Sequence, residues 1–188
     1  MNFGATSTKQ IFNIMTLTII ACVDNLNLLG LKDGRLAYRF KEDLQFFAEY
    51  TASKKIITSR KTFETIPNRL PGRDVFAFSN TRPAIRKTLE GKYWHFWQSL
   101  RTVLVQAQLS DEEYVVIGGA EIYSQAMPHC NKAIITRPTP FGLMRRQFNH
   151  VPPGQAVRFD EKAFRKQFNN ASKILKDTEL FTTHKFLA

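Results

Sequence analysis

Cysteine is scarce, with Cys22 and Cys130 alone among 188 residues. Two thiols cannot frame a disulfide scaffold, and they suit a reducing compartment. No apolar stretch approaches the ~20 residues that a membrane-spanning helix needs. Histidines 95, 129, 150 and 184 have no metal-ligand spacing, so no metal is expected. No nucleophile elbow marks a Ser-His-Asp hydrolase. Internal repeats, low-complexity tracts and an obvious linker are all missing. Acids are also few: 16 Asp and Glu stand against 27 Lys and Arg, a formal net charge of +11. Residues 131–188 hold 11 basic and 4 acidic residues, scattered among phenylalanines rather than gathered in a tail. Such an excess suits an anionic partner: nucleic acid, a membrane surface or a polyanionic small molecule.

What is present is the composition of a globule. Hydrophobic residues make up 43% and charged residues 23%, which excludes a disordered chain, and 16 phenylalanines point to a Phe-rich core. The length fits one domain. Lys9 followed by Ile11–Val23, ending Ile19-Ile20-Ala21-Cys22, has the outline of an export signal. Asn13, Thr16 and Thr18 interrupt it, and the β-branched run Leu17–Val23 reads better as a buried strand. The expectation is a cytoplasmic protein, with residues 1–15 as a lead-in and 16–188 as a single domain.

Strands are predicted at Leu17–Val23, Lys54–Ser59, Asp74–Asn80, Tyr93–Trp97, Tyr114–Ile117, Ala133–Thr136, Lys173–Lys176 and Leu180–Leu187. Helices are predicted at Lys41–Ala52, Lys61–Ile66, Ser99–Ala107 and Glu121–Met127. Asp24–Gly34 and Pro138–Val157 read as loops. Strands alternating with helices imply βαβ units and a parallel sheet, and two consecutive terminal strands imply an antiparallel edge.

Four features carry chemistry. Asp43 lies three residues after Phe40 and four before Phe47, on the apolar face of its helix. It is either a first-turn acid favoured by the helix dipole or a carboxylate at the floor of an apolar pocket, suited to an amidine-like ligand. Val115–Ile117 runs into Gly118-Gly119 and then a helix, which lets backbone N–H groups approach a phosphate. Arg60-Lys61-Thr62 opens a helix after a second strand, and Ser79-Asn80 ends a third. Ligands gather at the carboxyl ends of parallel strands, and three such phosphate-compatible junctions favour a dinucleotide. The cluster Tyr93-Trp94-His95-Phe96-Trp97 could stack bases, although such clusters more often belong to a strand.

Together these residues resemble the dihydrofolate reductase family over roughly 16–136. The match runs through Ile19–Cys22, Gly30, Phe40–Phe47 with Asp43, Ser59–Phe63, Leu70-Pro71-Gly72-Arg73, Ile117–Ala120 with Tyr123, and Thr136, and suggests a divergent or bacteriophage-type member. The resemblance implies a central, mostly parallel eight-stranded sheet with an antiparallel C-terminal strand and helices on both faces. It implies a monomer that reduces 7,8-dihydrofolate with NADPH.

On that resemblance Asp43 binds the pterin 2-amino group and N3, and Thr136 supports Asp43 and the pterin amine through hydrogen bonds. Ile20, Cys22 and Ile117 line the pterin and nicotinamide. Leu44, Phe47, Ile66 and Leu70 wall the benzoyl group, and Arg73 grips the glutamate carboxylate. Leu29, Gly30 and Gly118-Gly119-Ala120-Glu121-Ile122-Tyr123 hold the nicotinamide and pyrophosphate region. Arg60, Lys61, Thr62, Ser79 and Asn80 hold the adenosine phosphates, with Arg60 favouring NADPH over NADH. The chain departs from the family pattern at Tyr38 for Trp, Ala37 for Pro, Ser59 and Ala120 for Gly, and in a Gly30–Leu36 loop one residue longer. Tyr38 is expected to order a water near the pterin. The alternatives are the related reductase of riboflavin biosynthesis, which Asp43 with Arg73 argues against, and a catalytically idle protein on this fold with a structural or nucleic-acid-binding role.

Overall fold

The structure, a computed structural model, describes residues 16–66, 70–79, 86–89, 92–97 and 99–188, with 86–89 and 92–97 as backbone alone. The lead-in 1–15, Asn80 and the side chains of the 93–97 aromatic cluster lie outside the described residues.

Strand β1 (Leu17–Cys22) is apolar at nearly every position and buried on both faces, as a central parallel strand must be. The parallel strands β8 (Lys132–Pro138), β1, β7 (Tyr114–Gly118), β3 (Lys55–Ser59), β4 (Asp74–Phe78) and β6 (Lys92–Trp97) lie side by side in that order. Strands β11 (Phe181–Leu187) and β10 (Lys173–Asp177) add antiparallel pairs beyond β8. Strand β5 (Arg86–Leu89) adds another beyond β6. The sheet thus has nine strands, one more than the eight implied. The extra one, Arg-Lys-Thr-Leu, has no apolar alternation to announce it.

Helices α1 (Lys41–Tyr50) and α2 (Arg60–Thr65) cover one face, where Phe46, Phe47, Tyr50, Phe63 and Ile66 pack on Ile20, Ile56, Val115, Ile117 and Ile134. Helices α3 (Leu100–Gln108), α4 (Ala120–Ala126) and α6 (Glu161–Gln167) cover the other, with Leu104, Ile122 and Phe164 against Ile19, Val116 and Ile135. Helix α6 falls where no element was predicted. Asp160 caps it, accepting from Ala163 N at 2.9 Å, and Phe164 and Phe168 turn inward one helical turn apart.

The two expected loops also contain structure. Strand β2 (Leu28–Leu31) pairs with β9 (Ala156–Arg158), and α5 (Pro140–Leu143) follows β8. These elements are too short for periodicity to show, and pairing across more than 120 residues of chain creates the small sheet. Gly30 is needed there because a Cβ would collide with the Arg35 carbonyl.

At the amino edge of the sheet Glu113 accepts from Thr18 Oγ1 at 2.8 Å and Tyr50 OH at 2.5 Å, with Lys132 Nζ at 2.6 Å. Burial raises its pKa, but the hydrogen bonds from Lys132, Tyr50 and Thr18 prevail and bring it to about 2. Tyr50 ends α1, so this cluster fixes the tail of the helix whose first turn carries Asp43.

Candidate active site

Cys22, Ser59, Phe78, Gly118 and Thr136 all lie at the carboxyl edge of the parallel strands, in the registers Cys22↔Thr136, Ser59↔Phe78 and Thr58↔Gly118. Asp43 joins them from α1. Phe40, buried at the helix entry, anchors that turn. Thr136 Oγ1 donates to Asp43 Oδ1 at 2.7 Å, and the Thr136 and Thr183 hydroxyls are 3.0 Å apart. Among the described residues no donor meets Oδ2, which leaves that oxygen for a ligand.

Burial raises the Asp43 pKa, against the Thr136 hydrogen bond and the charge of Lys176. The Cys22 thiol is pushed up by burial and then by Asp43 and Asp24, so it stays neutral. The acid thus faces an uncharged wall. Ile20, Ile117 and Leu70 are nearly buried, Phe47 and Ile66 half-buried, and Leu44 more exposed at 37%.

A second cluster joins two strand-to-helix turns. Ser59 Oγ accepts from Thr62 N at 3.1 Å, capping α2, and donates to Thr62 Oγ1 at 2.9 Å. Gly119 N–H reaches Ser59 Oγ at 3.5 Å, and Thr58 Oγ1 donates to Gly118 O at 2.8 Å. No side chain caps α4 behind Gly119, so its first-turn N–H groups keep donors for an anion. The Gly118–Gly119 peptide is cis, and Gly118 has φ +100°. A Cβ on Gly118 would stand 2.7 Å from the ring of Tyr123, whose hydroxyl is fixed to Ile20 O at 2.7 Å. Gly118→Ala is therefore expected to destabilise the fold by roughly 2–4 kcal/mol, combining left-handed strain with overpacking. A denaturant midpoint checks this, and an unchanged midpoint contradicts it.

Arg73 is held against the end of α1. Its Nε donates to Thr51 O and Oγ1 at 3.1 and 3.0 Å, Nη1 to Pro71 O at 2.8 Å and Nη2 to Ala48 O at 2.6 Å. A guanidinium has five N–H donors, so one remains on each terminal nitrogen for a carboxylate.

The dihydrofolate reductase family model matches residues 16–141. The chain belongs to the dihydrofolate reductase family. It is 32% identical over 123 residues to the type 3 dihydrofolate reductase of Salmonella typhimurium, covering 65% of this chain and 71% of the relative. It is 35% identical over 125 residues to the dihydrofolate reductase of Neisseria gonorrhoeae, covering 65% and 72%. In fold it is similar to an Enterococcus faecalis dihydrofolate reductase complexed with NADP(H) and RAB-propyl. That likeness has a TM-score of 0.66 at 19% identity, over 93% of this chain and 97% of the other.

Within this dihydrofolate reductase fold, the structure brings Asp43, Thr136 and Cys22 together, and likewise Ser59, Thr62, Gly118 and Gly119. Ser79 is buried just past β4, and Leu29 and Ala120 are half-exposed. Lys61 and Glu121 point to solvent. The side chains of Ile122 and Tyr123 are buried, so only their backbone can meet a ligand. Arg60 gives Nη1 to both oxygens of Glu64, at 2.8 and 2.9 Å. Tyr38 is buried, and its hydroxyl donates to Asp24 Oδ2 at 3.2 Å and accepts from Arg146 Nε at 3.3 Å.

Sequence reasoning missed Asp24. It is fully buried, accepts from Leu26 N at 2.9 Å and Leu28 N at 2.8 Å, and pairs with Arg146 at 3.1 Å. An acid directly after a buried strand was a local signal for a turn, but nothing in the sequence links it to Arg146. Among the described residues no cluster of three or more His, Cys, Asp or Glu could hold a metal, and no helix is long and apolar enough to cross a membrane.

Proposed function

We propose that this chain reduces 7,8-dihydrofolate to 5,6,7,8-tetrahydrofolate by NADPH-dependent hydride transfer to C6 with protonation at N5, as a cytoplasmic monomer and a single domain over 16–188. The observation that carries this reading is the Asp43–Thr136 pair, with one carboxylate oxygen open, in a chain of this family. Asp43 accepts from the pterin 2-amino group and N3, and its charge makes N5 easier to protonate. Thr136 holds the acid in place. Ile20, Cys22 and Ile117 form the neutral wall along the ring, which strengthens that contact by excluding water.

The two glycine-rich and basic junctions fit the cofactor. The uncapped N–H groups of the first turn of α4, from Ala120 onward, suit the pyrophosphate. The remaining donors of Arg60, with Lys61, Thr62, Ser79 and Asn80, suit the adenosine phosphates. Leu29 and Gly30 cover the nicotinamide region. NADPH supplies the hydride when bound.

Phe47, Ile66, Leu70 and the exposed edge of Leu44 receive the benzoyl group, and Arg73 takes the glutamate carboxylate. Arg73→Lys keeps the charge but loses the planar fork and its anchorage. It is expected to raise KM for dihydrofolate about tenfold or more with kcat little changed, the signature of lost uniform binding. Steady-state kinetics with and without the glutamate tail check this. An equal KM change on the truncated substrate contradicts the assignment. The excess positive charge suits two polyanionic ligands. Salt-steep DNA binding without NADPH oxidation would favour the nucleic-acid reading instead.

A further inference from the structure

Strands β10 and β11 do not pair in simple register. Ile174 stands opposite His184, but Lys176 stands opposite Thr183, so Leu175 is an extra, bulged residue. Residues directly opposite in antiparallel strands point to the same face. Thr183 in turn stands opposite Thr136, and Thr136 beside Cys22. The row Cys22–Thr136–Thr183–Lys176 therefore crosses four strands and faces the first turn of α1. Without the bulge, Leu175 would occupy the end of that row and Lys176 would turn to the other face. Bulges beside active sites often re-aim a side chain in this way.

Lys176 is less exposed than its neighbours along β10. Its Nζ donates to the Glu42 carbonyl at 3.2 Å and lies 5.8 Å from the centre of the buried Phe181 ring. Glu42 directly precedes Asp43. A cation is thus parked next to the carboxylate, with no direct ion pair between them among the described residues.

We propose that Lys176 is a positioning residue for the reduction, delivered by the Leu175 bulge to tune the proton affinity of Asp43 through space and to tie the first turn of α1 to β10. The proposal rests on the reading of Asp43 as the acid that serves the pterin. Among the described residues, β10 presents Lys176 to Asp43, β1 presents the neutral thiol of Cys22 with Asp24 behind it, and β8 and β11 present the Thr136 and Thr183 hydroxyls. Its own turn carries Lys41 and Glu42, both exposed. Lys176 is therefore the cation brought to Asp43 from another element, and it opposes the effect of burial on that group.

The reaction takes up a proton with each hydride, so its rate falls as pH rises through the midpoint of the acid–pterin unit. Removing the cation makes Asp43 hold its proton more tightly and moves that fall to higher pH. The test is the Asp43 carboxyl titration, followed by carbon NMR on the full ligand-free chain. Wild type, Lys176→Met and Lys176→Arg are compared, Asp43→Asn identifies the resonance, and kcat/KM is measured against pH. Lys176→Met is expected to raise the midpoint by about half a pH unit, ~threefold in proton affinity. Lys176→Arg should stay near wild type, the shift should shrink at high salt, and the kinetic limb should follow it. An identical midpoint in wild type and Lys176→Met overturns the proposal, as does an equal shift in Lys176→Arg. A titration shift in a protein that never turns over dihydrofolate removes the catalytic reading and keeps the electrostatic coupling.

Discussion

Asp43→Asn is expected to lower dihydrofolate turnover at neutral pH by about 10²–10⁴-fold, the usual worth of a positioned acid or base. Asparagine keeps the size of the side chain, and its carbonyl can still accept from Thr136, whose bond to Asp43 is 2.7 Å. What disappears is the negative charge that draws a proton toward N5. The loss should therefore shrink as pH falls, because substrate protonated beforehand no longer needs the carboxylate. Stability should move the opposite way. Burial raises the folded-state pKa of Asp43 above its unfolded value. The stabilising contribution of that shift is present below the unfolded pKa and is lost as pH rises through the folded one. At neutral pH the ionised acid is thus a burden on the fold, and the asparagine variant should melt no lower than wild type. A pH series of kcat with a melting curve checks both parts. Equal turnover in the two proteins at neutral pH would remove Asp43 from the chemistry.

Asp24→Ala is expected to cost about 3–5 kcal/mol, because it strips the counter-charge and hydrogen-bond acceptor from a buried network. Asp24 serves two backbone N–H groups, the Tyr38 hydroxyl and Arg146. Removing it orphans the N–H groups of Leu26 and Leu28 and leaves a half-exposed guanidinium without its partner. At this chain length the loss corresponds to a fall of roughly 10 °C in Tm. The network also fastens the 144–148 segment to the turn after β1 and to Tyr38, since Gln147 N–H donates to Ala37 O at 2.9 Å beside it. Loosening should therefore reach the Gly30–Leu36 loop and raise KM for the cofactor. Denaturant midpoints of Asp24→Ala, Arg146→Met and the double variant separate the pair's coupling from the turn's own hydrogen bonds. Single variants as stable as wild type would show that the network does not hold these loops.

The parallel core was legible because its physics is local. Leu17–Cys22 and Tyr114–Gly118 are continuous apolar runs, and Asp43 declared itself as a charge on an apolar face. The glycine pair showed where a backbone turns closely between strand and helix. Other parts depend on partners distant in the chain. Strand β2 exists because β9 returns to it. Tyr38, expected to order a water near the pterin through its hydroxyl, gives that hydroxyl to Asp24 and Arg146. Its isolated position beside Ala37 gave no sign of either contact. Lys176 was equally hidden, because simple alternation along Lys173–Asp177 gives no hint that Leu175 is a bulge. Helix α6 is the exception: the acid cap at Asp160 and the Phe164–Phe168 spacing were there to be read.

The most direct measurement is the fall of NADPH absorbance when dihydrofolate is added to the 188-residue chain, with tetrahydrofolate quantified in the same samples. One NADPH consumed for each tetrahydrofolate formed, with NADH a much poorer donor, is the predicted result. A folded protein that leaves both compounds unchanged would contradict the account at its centre.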